Sequence, residues 1–135
     1  MNTLLQRYFL LFTGISLSAI GIAYIADPNL LLQRYDLAVA GVSDDNMYRG
    51  AYGGLFVTMG IAISLGFKSP AFRQTATLIT LLFMGGFAFG RIASIVAVGT
   101  PHEQIAGLLS FELIASAACL WFLLSRRSSQ NLASA

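Results

Sequence analysis

Charge is what this chain has least of. Only 10% of its 135 residues are Asp, Glu, Lys or Arg, against about 25% in soluble domains. A water-exposed globule of that composition would lack the polar surface to cover itself. Cysteine is nearly absent too. The lone Cys119 has no partner for an intramolecular disulfide, which excludes a disulfide-stapled fold and leaves a small buried side chain. The single histidine, His102, stands beside Glu103, with Asp44 and Asp45 elsewhere in the chain. One imidazole among scattered carboxylates is a poor transition-metal set, so no metal is expected. Ser94 and Ser116 have no histidine at their depth to act as base, which argues against serine-hydrolase chemistry. Phosphate-loop and nucleotide fingerprints are missing, so no cofactor is expected and no residue is assigned a catalytic role. The formal charge of +2 and pI near 9.0 do not read as a nucleic-acid surface, because the cations sit at the ends of apolar runs.

Those runs are what the chain has in abundance. Apolar residues make up 56% of it, and the mean hydropathy is +0.72. Four stretches, over about 4–25, 47–67, 75–98 and 101–124, reach the roughly 20 residues that a helix needs to cross a core ~30 Å thick. Strands of a membrane barrel would alternate polar and apolar positions; the run from Thr77 to Phe89 does not. The expectation is one all-α domain over 1–135, an integral membrane four-helix bundle. A cut after Ala26 would place Tyr24 where a signal peptidase wants a small residue, so the first run reads as a retained helix rather than a signal peptide.

The three prolines, Pro28, Pro70 and Pro101, fall at expected helix starts. Thr100 through Glu103 reads as a capping box, and Gly99 before it as the left-handed end of the third helix. Ser69-Pro70 opens the third helix, and Asp44 or Asp45 caps the second. Between Asp27 and Asn46, Leu31, Leu32, Tyr35 and Ala38 recur at helical spacing opposite Gln33, Arg34 and Asp36. This predicts a short amphipathic segment from Pro28 to Gly41 in the first outer loop. Residues 125–135 read as a flexible cytoplasmic tail. Arg7, Lys68, Arg73, Arg126 and Arg127 fall on one side of the four-helix path, which by the positive-inside rule puts both termini in the cytoplasm.

Against this background three charges stand out. Arg49, Arg91 and Glu112 lie within or at the mouth of apolar runs, where an ionisable group costs roughly 3 kcal/mol or more unless it pairs or reaches water. At about 1.5 Å per residue, Arg91 lies roughly 10 Å below Val98 and Glu112 roughly 16 Å below Pro101. An arginine side chain spans that difference, so an Arg91–Glu112 ion pair across the hairpin is expected. Arg49, Tyr52, Arg91 and Glu112 are the candidate ligand-binding residues, all in the outer half. Gly50 and Gly54, with Gly86 and Gly90, have the small-xxx-small spacing of close helix contacts.

Asn46-Met47-Tyr48-Arg49-Gly50-Ala51-Tyr52-Gly53-Gly54, Gly90-Arg91-Ile92-Ala93-Ser94, Gly99-Thr100-Pro101 and Glu112 together resemble a bacterial membrane-protein family known as domain of unknown function 4345. The resemblance runs from the first helix to the fourth and implies a small multi-pass protein of the bacterial inner membrane, with no activity attached. Two arginines against one glutamate leave a surplus positive charge. The expected role is therefore non-enzymatic, binding or accessory, with an anionic amphiphile or a partner's acidic group held in an outer-half polar pocket. A proton- or cation-coupled transporter subunit using Glu112 is the alternative, and a membrane-embedded enzyme comes third. Membrane lipids, an anionic small molecule, and a homo-oligomer or membrane-protein partner are the partners in view; nucleic acid is not.

Overall fold

The computed structural model describes the backbone of residues 2–101 and 103–133, and their side chains apart from 2, 104 and 126–133. Every regular element among the described residues is helical: α1 (Asn2–Ala26), α2 (Asn29–Leu32), a 3₁₀ turn (Gln33–Tyr35), α3 (Val42–Met47), a π-helical segment (Tyr48–Gly54), α4 (Leu55–Lys68), α5 (Arg73–Val98) and α6 (Glu103–Ala133). Four helical stretches are long and apolar enough to cross a membrane: Thr3–Ala26, Val42–Lys68, Arg73–Val98 and Ile105–Ser125. The second begins at Val42 rather than Met47, because α3, the π segment and α4 run on without a break.

Local chemistry sets the ends. Asp27-Pro28 stops α1, since proline cannot donate to the ladder and restricts the residue before it, and the Asn29 N–H donates to Asp27 Oδ1 at 3.0 Å. The loop segment is shorter than its periodicity predicts. It closes at Asp36, which takes a left-handed conformation with φ 57°, one of the few non-glycine residues that do so readily. Ala38 therefore lies beyond the helical part, and Gly41 instead precedes α3. In α3, Asp44 Oδ2 accepts from the Ala40 N–H at 3.3 Å. Ser69 Oγ accepts from the Phe72 N–H at 3.2 Å just before α5. Gly99, at φ 100°, ends α5 where a side chain would be strained. His102, inside the expected capping box, lies outside the described residues. Over the stretch expected as a tail, α6 continues as far as Ala133. No proline or glycine follows Gly107, and the arginines, glutamine, leucine and alanine beyond Leu124 all favour helix. Ser134 and Ala135 lie outside the described residues.

The helices alternate in direction. One end of the bundle, here the N-terminal end, carries the start of α1 and the α4–α5 turn. The other, the loop end, carries the α1–α3 loop and the α5–α6 turn. From the N-terminal end to mid-depth, Leu10, Leu17, Ile63, Ala76, Met84 and Ala115 form the buried core. A polar chain lies beside it: Gln6 Nε2 donates to Thr77 Oγ1 at 2.7 Å, Thr77 Oγ1 to the Arg73 carbonyl at 2.8 Å, and Arg73 Nε to the Gly66 carbonyl at 3.1 Å. Arg7 Nε donates to the Phe67 carbonyl at 3.2 Å while its guanidinium covers the Phe67 ring at 4.8 Å. Two arginines thus hold the carbonyl end of α4, where cations complement the helix dipole.

The closest helix contact joins α1 to the second span, and it is made by glycines other than those the spacing singles out. A Cβ on Gly21 would lie 2.7 Å from the Gly53 carbonyl oxygen, and Cβ atoms on Gly14 and Gly60 would each lie 2.5 Å from the other's carbonyl oxygen. Ser18 and Ser64 fill the remaining small positions along this seam. Gly50, Gly86 and Gly90 have nothing within 4 Å, and Gly54 meets only the Arg49 carbonyl oxygen, at 3.9 Å. The expected Gly50/Gly54 and Gly86/Gly90 contacts do not form.

Candidate functional site

The π-helical segment carries two of the four expected site residues. In it the Leu55 N–H reaches back to the Gly50 carbonyl, a five-residue step. Such a segment carries more residues per turn than an α-helix and so rotates everything before it relative to everything after; π turns recur at functional sites. Here it brings Tyr48 and Tyr52 together against Tyr24 of α1, with ring centroids 6.4 Å (Tyr24–Tyr48), 5.4 Å (Tyr24–Tyr52) and 5.7 Å (Tyr48–Tyr52) apart. The ladder continues through Phe56, 5.7 Å from Tyr52, to Phe83 and Phe87 of α5, 5.3 and 5.7 Å from Phe56. Edge and tilted contacts of this kind are the favoured geometry for aromatic pairs.

Arg49, on the same segment, turns to the end of α1. Its Nε donates to Asp45 Oδ2 at 2.6 Å, one helical turn away. Its Nη1 donates to the Ile25 carbonyl and, at 3.2 Å, to the Ala26 carbonyl. The guanidinium therefore caps the last turn of α1 and is already matched by a carboxylate.

Arg91 and Glu112 meet across the α5–α6 hairpin. Arg91 Nε donates to both carboxylate oxygens, at 2.8 and 2.9 Å. The Glu112 side chain is 8% exposed and that of Arg91 26%. Ser116 Oγ donates to the Glu112 backbone carbonyl at 2.8 Å. Among the described residues the two Nη atoms of Arg91 have no hydrogen-bond partner. No fully buried side-chain nitrogen or oxygen lacks one, so the Nη edge opens onto accessible space. Phe87, in the ladder, lies four residues before Arg91 on α5, which places the pair one helical turn beyond the ladder's α5 end.

The arrangement of the four expected residues is thus uneven. Arg91 and Glu112 form one neutral pair, Tyr52 lines the adjoining aromatic ladder, and Arg49 is spent on Asp45 and α1. The surplus charge expected from two arginines against one glutamate does not arise, because each arginine has its own carboxylate. Tyr24, central to the ladder, carries no charge to draw attention. Its signal in the sequence is its position three residues after Gly21, on the seam face of α1. Among the described residues no group of three or more His, Cys, Asp or Glu side chains is placed to hold a metal ion.

Four spanning helices, closed at one end by an apolar core and carrying an ion pair and an aromatic ladder toward the other, define a helical multi-pass membrane protein. The chain matches the family described as Domain of unknown function (DUF4345) over residues 5–123 and belongs to it. Nothing matches among curated proteins or among solved structures.

Proposed function

We propose that this is a non-enzymatic binding or accessory protein of a bacterial inner membrane, with both termini cytoplasmic. In this reading it holds the head of an amphiphile at Arg91 in the outer half of the bilayer. The observation that carries it is the open Nη edge of Arg91. Hydrocarbon offers no hydrogen-bond partners, and a donor left bare there costs several kcal/mol, so a guanidinium held by Nε alone calls for an acceptor on its other side. Glu112 orients the fork, and Tyr24 and Tyr52 with the phenylalanines below them offer an apolar bed for a chain. Because Glu112 already neutralises Arg91, head oxygens matter more than net charge. A carboxylate and an ester carbonyl both qualify, which broadens the anionic ligand expected from sequence. Arg49 serves here as the strap on α1.

Lauric acid and monolaurin are suitable probes. Either should raise the melting temperature of the detergent-purified protein with concentration, since a ligand that binds only the folded state stabilises it by mass action. Arg91→Lys keeps a charge for Glu112 but loses the planar fork, so the shift should vanish in that variant while the fold persists. An equal shift in Arg91→Lys, or none with either probe in the unmodified protein, contradicts the reading.

The orientation rests on Arg7, Lys68 and Arg73 at the N-terminal end, with Arg126 and Arg127 following the fourth span, against Arg34 and Arg49 toward the loop end. A cysteine at Gly41, with Cys119 replaced, should react with an impermeant maleimide added to spheroplasts. Labelling only after lysis would reverse the assignment.

A further inference from the structure

A groove of about 410 Å³ runs between α1 and α4, away from Arg91 and Glu112. It exists because Gly14 and Gly60 draw the two backbones together, leaving Ser18, Ala19 and Ser64 as a low floor between the walls of Ile15 and Ile61. From Leu11 to Ile22 it extends roughly 16 Å along α1, about half the ~30 Å hydrocarbon core. Because Ile22 lies only four residues before the end of α1, the groove runs from Lys68 at the N-terminal end of the bundle past the middle of α1, a path long enough for one acyl chain.

Its interfacial end carries Lys68, the exposed last residue of α4. Arg7 is close by, its Nε engaged by the Phe67 carbonyl. No carboxylate side chain balances these cations: the chain has no acidic residue before Asp27, none between Asp45 and Glu103, and none after Glu112. An apolar trough of acyl-chain length with unbalanced positive charge at its interfacial end complements an amphiphile with a negative head.

We propose that the α1–α4 groove binds one acyl chain of an anionic phospholipid, with the lipid phosphate on Lys68. The site stands apart from the Arg91 site and does not depend on it. Native mass spectrometry of the full chain, released from bilayers of equal phosphatidylglycerol and phosphatidylcholine, tests it. Phosphatidylglycerol should be retained in preference. Lys68→Gln should cut that retention about fivefold, the worth of one cation near an anionic head, and Lys68→Arg should restore it. Ala19→Phe, at an exposed floor position, should displace both lipids with helix content unchanged; Ile61→Trp gives the same obstruction from α4 should the first variant fold poorly. Equal retention of the two lipids overturns the proposal. So does a phosphatidylglycerol preference that survives both groove-filling variants, since that would mark attraction of headgroups to the surface alone.

Discussion

Arg91→Met is expected to destabilise the bundle by about 3–5 kcal/mol, and Glu112→Gln by a similar amount, because each strips a buried charge or its acceptor of its partner. The geometry makes both losses large. A single Nε serves both carboxylate oxygens, and Glu112 is nearly sealed from its surroundings, so the carboxylate cannot turn to water when Arg91 is removed. The double variant Arg91→Met/Glu112→Gln should lose much less than the sum, because it leaves a neutral amide beside an apolar side chain in place of a stranded charge. Denaturant titration of the reconstituted protein, read by helix content, gives all three values. Strict additivity would mean that the two groups do not support one another. The same cycle bears on a transport role for Glu112. Proton or cation exchange there requires the carboxylate to leave Arg91 on each turnover, so a coupling as large as this would make that step slow.

This pair was legible in the sequence for a simple reason. Both residues lie on uninterrupted α-helices joined by a tight turn, so rise per residue converts numbering into height without error. Arg49 was not legible in the same way, although it looks equally conspicuous. The π turn over Tyr48–Gly54 shifts the register of everything before Leu55, so a helical wheel drawn at constant pitch points Arg49 and Gly50 to the wrong side. Asp45 and Arg49 still pair at i,i+4, because Arg49 lies at the very start of the π turn and little of the shift falls between them. The spans themselves follow from hydropathy and length alone. Which face of each span is packed does not: a helix apolar all round has no polar stripe to mark the outside, and small residues on a lipid-facing ridge look the same in sequence as small residues in a seam. The end of α6 is a different case. Its charged and polar residues read as tail chemistry, but polarity does not break a helix where no glycine or proline intervenes.

The glycine seam gives the sharpest test of which faces meet. Gly14→Ala puts a methyl carbon 2.5 Å from the Gly60 carbonyl oxygen, and Gly60→Ala puts one 2.5 Å from the Gly14 carbonyl oxygen. Both obstacles are backbone, so neither can swing aside as a long side chain would; the helices themselves must separate. Overpacking of this kind costs about 1–3 kcal/mol, occasionally more, and it also pulls apart the neighbouring contacts of Ser18, Gly21 and Gly53. Leucine at either position is expected to abolish the fold. The alanine pair should cost less than the sum of the two single changes, because helices moved apart by the first methyl leave room for the second. Gly50→Ala and Gly86→Ala provide the contrast. Nothing lies within 4 Å of either position, so the added methyl meets no wall and the stiffer unfolded chain should raise stability by about 0.4–1 kcal/mol. Thermal melts in one detergent compare all four single variants on the same scale. If Gly86→Ala fell as far as Gly14→Ala, the open face of α5 would have to be a packed one, and the α1–α4 seam would lose its place as the contact that organises the bundle.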